Sequence, residues 1–279
     1  MNMISLLMEM VSYSFIVRAL LVGCMVSLCA SLLGVSLVLK NYSMIGDGLS
    51  HVSFGALSVA VACGWSPLQV SIPVVVIAAV ALLRLEETGK IKSDAAIAVV
   101  SSGALAVGVT VTSLTTGMNL DVYSYMFGSI LAMRRSDVAV STVLCLTVLV
   151  LFLICYHKIF AITFDETFAK TARVRTSFYN TLIAVLTAVT IVLGMQMMGA
   201  LLISSLIIFP SLISMRVMKS FRGVVICSAA VSVAAFFIGM ILSYGYGTPA
   251  GASVVLVNLA FLTVFSLAGK IAASRRRHT

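Results

Sequence analysis

Charge is scarce in this chain. Charged residues make up 10% of its 279 positions and hydrophobic residues 61%, with a mean hydropathy of +1.16. An average globular protein is about one quarter charged, so this balance excludes a soluble domain and points to a polytopic helical membrane protein. Proline is scarce too, with four residues, and the 19 glycines are scattered, which argues against a disordered segment. No basic region opens the apolar run Met1–Val17, which carries Glu9 and leads into a longer hydrophobic segment, so no cleavable signal peptide is expected. The six cysteines (24, 29, 63, 145, 155, 227) form no CxxC or other ligand-spaced cluster, and are expected to pack helices. A P-loop is also missing: Gly89-Lys90 and Gly269-Lys270 lack both the upstream glycine and the following Ser/Thr. The chain is therefore not expected to be an enzyme, and any ATP energy must arrive through a partner.

What the chain has is apolar runs. Ala19–Leu39 is long enough for one span. Val52–Leu83 divides into two at Gly64-Trp65-Ser66-Pro67. Ala95–Leu120 and Val138–Tyr156 supply one each. Thr176–Met215 exceeds the ~20 residues of a single span and breaks near Gly194–Gly199. Gly223–Gly269 breaks in the turn-rich stretch 244–251. The expectation is an all-α chain of about nine transmembrane helices, with eight to ten as bounds, forming one permease-like domain over 1–279. The +9 net charge then reflects orientation rather than nucleic-acid binding. With Arg275, Arg276 and Arg277 in the cytoplasm and the N-terminus outside, all of the 18 basic residues except Arg18, Arg134 and Arg135 fall on the inner side.

The ionisable pair inside a span is the main functional signal. Asp47 and His51 are four residues apart, so they share one face of a helix. Each costs roughly 2.5–3.5 kcal/mol at membrane depth on insertion scales, and a carboxylate with an imidazole is a usable pair of metal ligands. Alternatively the pair locks helix packing. Ser50 and Ser53 are candidates to orient the imidazole. Gly46, Gly48 and Gly55 are expected to thin the helix for a close approach across a dimer axis. Gln196 and Asn258, lone polar groups in apolar runs, are expected to hydrogen-bond between helices, and His157 and His278 to lie solvated at cytosolic ends. A proton-coupled secondary transporter could use the same pair as a relay, but no second Asp-x-x-x-His marks an internal repeat. An intramembrane metal hydrolase would need more ligands and a base, and no His-Glu-x-x-His is present.

Two segments between spans carry further signals. Residues 123–131 are amphipathic and too short to span. With Tyr123 at the start and Arg134 and Arg135 following, they read as an interfacial or re-entrant element on the outer face, an outer gate or docking surface. On the inner side, about 157–178 forms the longest polar loop. Thr163 and Glu166 have capping-box spacing, so a helix is expected over Thr163–Ala172. Asp165 and Glu166 suit its start, and Phe164 and Phe168 would stand on one face as anchors for a soluble partner. The bland alternative is a helix resting on lipid.

In order along the chain, several stretches resemble the membrane permeases of bacterial ABC importers for zinc, manganese and iron. They are Lys40-Asn-Tyr-Ser-Met-Ile-Gly-Asp-Gly-Leu-Ser-His51, Ile91-Lys-Ser-Asp-Ala-Ala-Ile97, Phe127-Gly-Ser-Ile-Leu131, Phe164-Asp-Glu166 and Pro249-Ala-Gly-Ala-Ser-Val-Val-Leu256. The similarity covers about 14–270. His51 is followed by Val-Ser-Phe-Gly where the family often has Ala-Val-Leu-Pro-Gly, and Pro210 by Ser-Leu-Ile-Ser where it often has Ala-Ala-Thr-Ala. The resemblance implies a type II-like importer in the bacterial plasma membrane. It further implies two permease subunits, identical or paralogous, two cytoplasmic ATPases coupled through 164–168, and an external or periplasmic metal-binding protein. The divalent ion would be cargo, with no permanently bound cofactor. In such a dimer Asp47 and His51 would supply two oxygen and two nitrogen donors.

Overall fold

The computed structural model describes residues 9–10, 12–87, 93–115 and 135–275. Tyr123, Arg134 and the expected outer element around them lie outside the described residues. Arg135 opens a helix. Among the described residues the chain is all helix. Nine helices are long and apolar enough to span a membrane: α1 (Ser14–Leu39), α2 (Ile45–Ala62), α3 (Pro67–Glu87), α4 (Ser93–Leu114), α5 (Arg135–Phe164), α7 (Thr176–Met198), α8 (Ala200–Val217), α9 (Phe221–Tyr246) and α10 (Ala250–Arg275). One short helix, α6 (Glu166–Thr171), lies between α5 and α7.

The breaks fall where the turn chemistry places them. Gly64 closes α2 in the left-handed region (φ 71°), and Pro67 opens α3, where its missing N–H costs nothing. Gly199 alone separates α7 from α8. Its φ of 88° and ψ of 159° are open only to a residue without Cβ. Asn41 closes α1 at φ 63°, with Tyr42 N–H bonding back to Leu37 C=O at 2.8 Å. Helix α5 runs further than hydropathy alone predicts and carries His157 and Lys158 within it, because a helix satisfies its own backbone and can continue past the apolar layer.

Helix α1 is the hub. It packs on α5, α7, α8 and α9, while α2 packs on α3, α4, α7 and α8. Lipid tails are as apolar as leucine, so small-residue contacts and buried hydroxyls hold such a bundle rather than hydrophobic burial. Ser232 Oγ donates to Ser27 C=O at 2.9 Å, and Ser228 Oγ to Ser31 C=O at 3.3 Å, which sew α9 to α1. Outward residues such as Val143, Leu153 and Ile154 of α5 form a lipid-facing surface. Cys29 and Cys145 pack α1 on α5 as expected, whereas Cys63 is exposed at the end of α2. Two polar expectations are corrected. Asn258 donates to Val254 C=O of its own helix at 3.1 Å, and Gln196 is exposed on α7. The Asn258 N–H takes an acceptor one turn back in its own helix, while its Oδ1 is buried without a hydrogen-bond partner among the described residues.

Among the glycines of the described residues, the tightest approach to another backbone is between α8 and α1. A Cβ on Gly34 would fall on the backbone oxygen of Ile207, which cannot rotate away, whereas one on Gly103 would meet open space. Gly34→Ala should therefore lower stability by about 1–3 kcal/mol, while Gly103→Ala, in the interior of α4, should raise it by about 0.5–1 kcal/mol. Thermal melting of the two purified variants checks this.

Candidate functional site

Helix α2 carries the candidate ligands. Asp47 lies in its first turn, where the helix dipole favours a carboxylate. One turn on, His51 Nε2 stands 3.6 Å from Asp47 Oδ2, an ion-pair distance rather than a hydrogen bond. The two side chains are accessible to different degrees, 48% for Asp47 and 21% for His51. Both therefore remain partly open on one face of α2. Among the described residues, no group of three or more His, Cys, Asp or Glu side chains comes together, so one copy of the chain offers two donors and not a complete metal shell.

Depth follows from the neighbours of α8. Gly34 of α1 and Gly46 of α2 both abut Ile207, so α2 starts level with Gly34. That is six residues, or about 9 Å, along α1 from Lys40. His51 is five residues further along α2, about 16 Å from the Lys40 end.

The glycines around the pair act inside the chain. A Cβ on Gly48 would strike Ile97 of α4, one on Gly55 the carbonyl of Ala104, and one on Gly46 the side chain of Ile207. They seat α2 against α4 and α8, which corrects the expectation that they clear a path to a second copy. Ser50 donates its hydroxyl proton to Gly46 C=O at 2.7 Å and so does not present it to His51. Ser53 is buried on the same helix.

The loop around α6 also differs from its expected form. Thr163 remains inside α5, donating to Ile159 C=O at 2.7 Å. Asp165 is the N-cap, accepting from Phe168 N–H at 2.8 Å. Aspartate is the stronger capping residue, and α5 continues through the buried Ile159 and Ile162 up to that point. Phe164 therefore ends one helix while Phe168 belongs to the next, and they are not neighbours on one face. Both rings stay exposed, at 63% and 66%. Phe164 is braced against Phe160 and Phe221, with ring centroids 5.0 and 5.9 Å away.

A polar knot that the sequence reading did not find joins this loop to the turn before α2. Lys40 Nζ donates to Asn180 Oδ1 at 2.6 Å and lies 3.5 Å from Glu166 Oε2. Asn180 Nδ2 donates to the same carboxylate oxygen at 3.2 Å, and Lys170 Nζ stands 3.1 Å from Glu166 Oε1. Lys40 and Glu166 are 126 residues apart, so no spacing rule joins them. The only signal was two charges flanking apolar runs.

Residues 12–269 match the ABC 3 transport family. The chain belongs to that family. It is 27% identical to the manganese import system permease protein ScaB of Streptococcus gordonii, over 92% of this chain and 93% of that one. It is 28% identical to the high-affinity zinc uptake system membrane protein ZnuB of Haemophilus influenzae, over 91% and 97%. The fold is similar to that of PsaBC from Streptococcus pneumoniae, solved in complex with Fab, with a TM-score of 0.84, 25% identity and 95% of each chain covered. A metal-chelate type ABC transporter in an inward-facing conformation shares the fold at a TM-score of 0.74 and 14% identity, over 91% of this chain and 86% of that one.

The environment of Glu166 generates a pH prediction. Burial pushes its carboxyl up from the ordinary value of 4.5, but hydrogen bonds from Lys170 and Asn180 and the charges of Lys40 and Lys170 outweigh this and hold it lower. A carboxyl depressed in the folded state adds stability that is present above its unfolded pKa and lost as pH falls through its folded one. Below about pH 4.5 the wild-type melting temperature should therefore drop more steeply than that of Glu166→Gln. Parallel melting curves across this range check it.

Proposed function

We propose that this chain is the membrane permease subunit of an ABC importer for a divalent transition metal ion, Zn²⁺ or Mn²⁺ with Fe²⁺ also compatible. The observation that carries this reading is the half-open Asp47–His51 pair on the apolar helix α2 in a chain of the ABC 3 transport family. A second permease copy would complete a shell of two carboxylates and two imidazoles. Such a shell suits these ions and disfavours Cu⁺, which prefers sulfur. A ligating imidazole is neutral, so Asp47 carries the compensating charge. A site built from few ligands binds moderately, as transit requires.

The Lys40 end is read as cytoplasmic. There the segment between α5 and α7, residues 165–175, with the end of α5, receives the separate ATPase subunit, which supplies the hydrolysis. The exposed Phe164 and Phe168 rings, with α6 capped by Asp165, support this reading. A metal-binding protein on the opposite side delivers the ion.

Asp47→Asn and His51→Ala should each lower uptake by about a hundredfold or more with assembly intact. Uptake of Zn²⁺, Mn²⁺ and Fe²⁺ in turn by the reconstituted complex checks this, and normal uptake by both variants at limiting metal would sink the ligand assignment. Replacing Phe164 and Phe168 together by alanine should weaken ATPase docking by about 2 kcal/mol or more per ring. The expected readout is release of the ATPase in a pull-down, and full retention with normal uptake would remove these rings from the interface.

A further inference from the structure

We propose that Lys40, through Asn180 and Glu166, is the link by which the cytoplasmic helix α6 sets the position of the metal-ligand helix α2. The inference rests on the importer reading above. Lys40 is the C-cap of α1, and α2 begins five residues later. Its side chain is only 14% exposed, and its ammonium bridges to the far side of the loop rather than to solvent. Asn180, 5% exposed on the first turns of α7, sits between the two charges. Its carbonyl faces the ammonium and its amide faces the carboxylate, so each group of the triad meets its complement. Glu166 is the first residue of α6 and is held from its other oxygen by Lys170.

The turn on the other side of Lys40 is short and stiff. Asn41 occupies the left-handed region, and Tyr42 N–H is bonded back to Leu37 C=O. A movement of α6 is therefore delivered to Ile45 and the first turn of α2, which holds Asp47. Ile45 and Lys40 both border a cavity also lined by Leu82, Leu83 and Ile97, so the turn and the start of α2 share one flank of the bundle. A purely apolar joint would slide under such a load. A triad of two charges and an amide, with Lys40 and Asn180 largely out of water, has directional bonds that transmit displacement. In this role Lys40 and Asn180 are positioning residues, and neither touches the metal.

The test uses the permease assembled with its ATPase in liposomes, with metal uptake and ATP hydrolysis measured in the same preparation. Lys40→Met and Asn180→Ala should each lower the metal moved per ATP hydrolysed by about tenfold, with the ATPase still bound and turning over. Lys40→Arg, which keeps a cation and donors, should restore most of the ratio. If uptake and hydrolysis instead fall in proportion, the triad is a static staple and the link is overturned, as it is by a wild-type ratio in both variants. Absence of uptake by the wild-type complex for any of Zn²⁺, Mn²⁺ or Fe²⁺ would sink the importer reading itself, which separates the two failures.

Discussion

The contact on which the rest of the arrangement depends is the wedge of α8 between α1 and α2 at Ile207. Gly34 lets the α8 backbone touch α1, and Gly46 lets the Ile207 side chain fill the start of α2. Because one residue of α8 serves both, the beginning of α2 is drawn down to the level of Gly34. That recess sets Asp47 and His51 back from the Lys40 end of α1. The same seat turns the buried face of α2 toward α4, where Gly55 meets the Ala104 carbonyl, and leaves the carboxylate and imidazole on the open side.

The polar end of the bundle answers a different requirement. Charges close to an apolar layer are tolerated when they are paired or can reach water. Here Lys40, Glu166, Asn180 and Lys170 pair with one another and with the solvent boundary at once. The aromatic cluster of Tyr156, Phe160, Phe164 and Phe221 covers the adjacent flank, bracing the end of α5 against the start of α9. The short α6 is thus suspended between a rigid apolar brace and a directional polar knot. A six-residue helix has too few internal hydrogen bonds to persist alone, so its position belongs to its neighbours.

Much of this was legible beforehand because it depends on local chemistry. Apolar runs of sufficient length make spans, and glycine and proline at 64–67, 199 and 247–249 end them. An Asp and a His four residues apart must share a helix face. The readings that failed did so for identifiable reasons. Thr163 was outcompeted as a cap by Asp165, two residues later than spacing alone placed it. Gly46, Gly48 and Gly55 face helices of the same chain, because a glycine in a span marks a close approach without saying to which neighbour. Asn258 turned to its own helix for an acceptor.

The sequence by itself determined the fold class, about nine spans as found among the described residues, and that Asp47 and His51 share one helix face. Each of these follows from residue type and short-range periodicity, and none changes with what lies across the bundle. Only the tertiary structure decided how deep that pair sits, which face stays open, and that Lys40 meets Glu166 through Asn180. Those properties depend on contacts between residues far apart in the chain, set by which backbones can approach closely enough to touch.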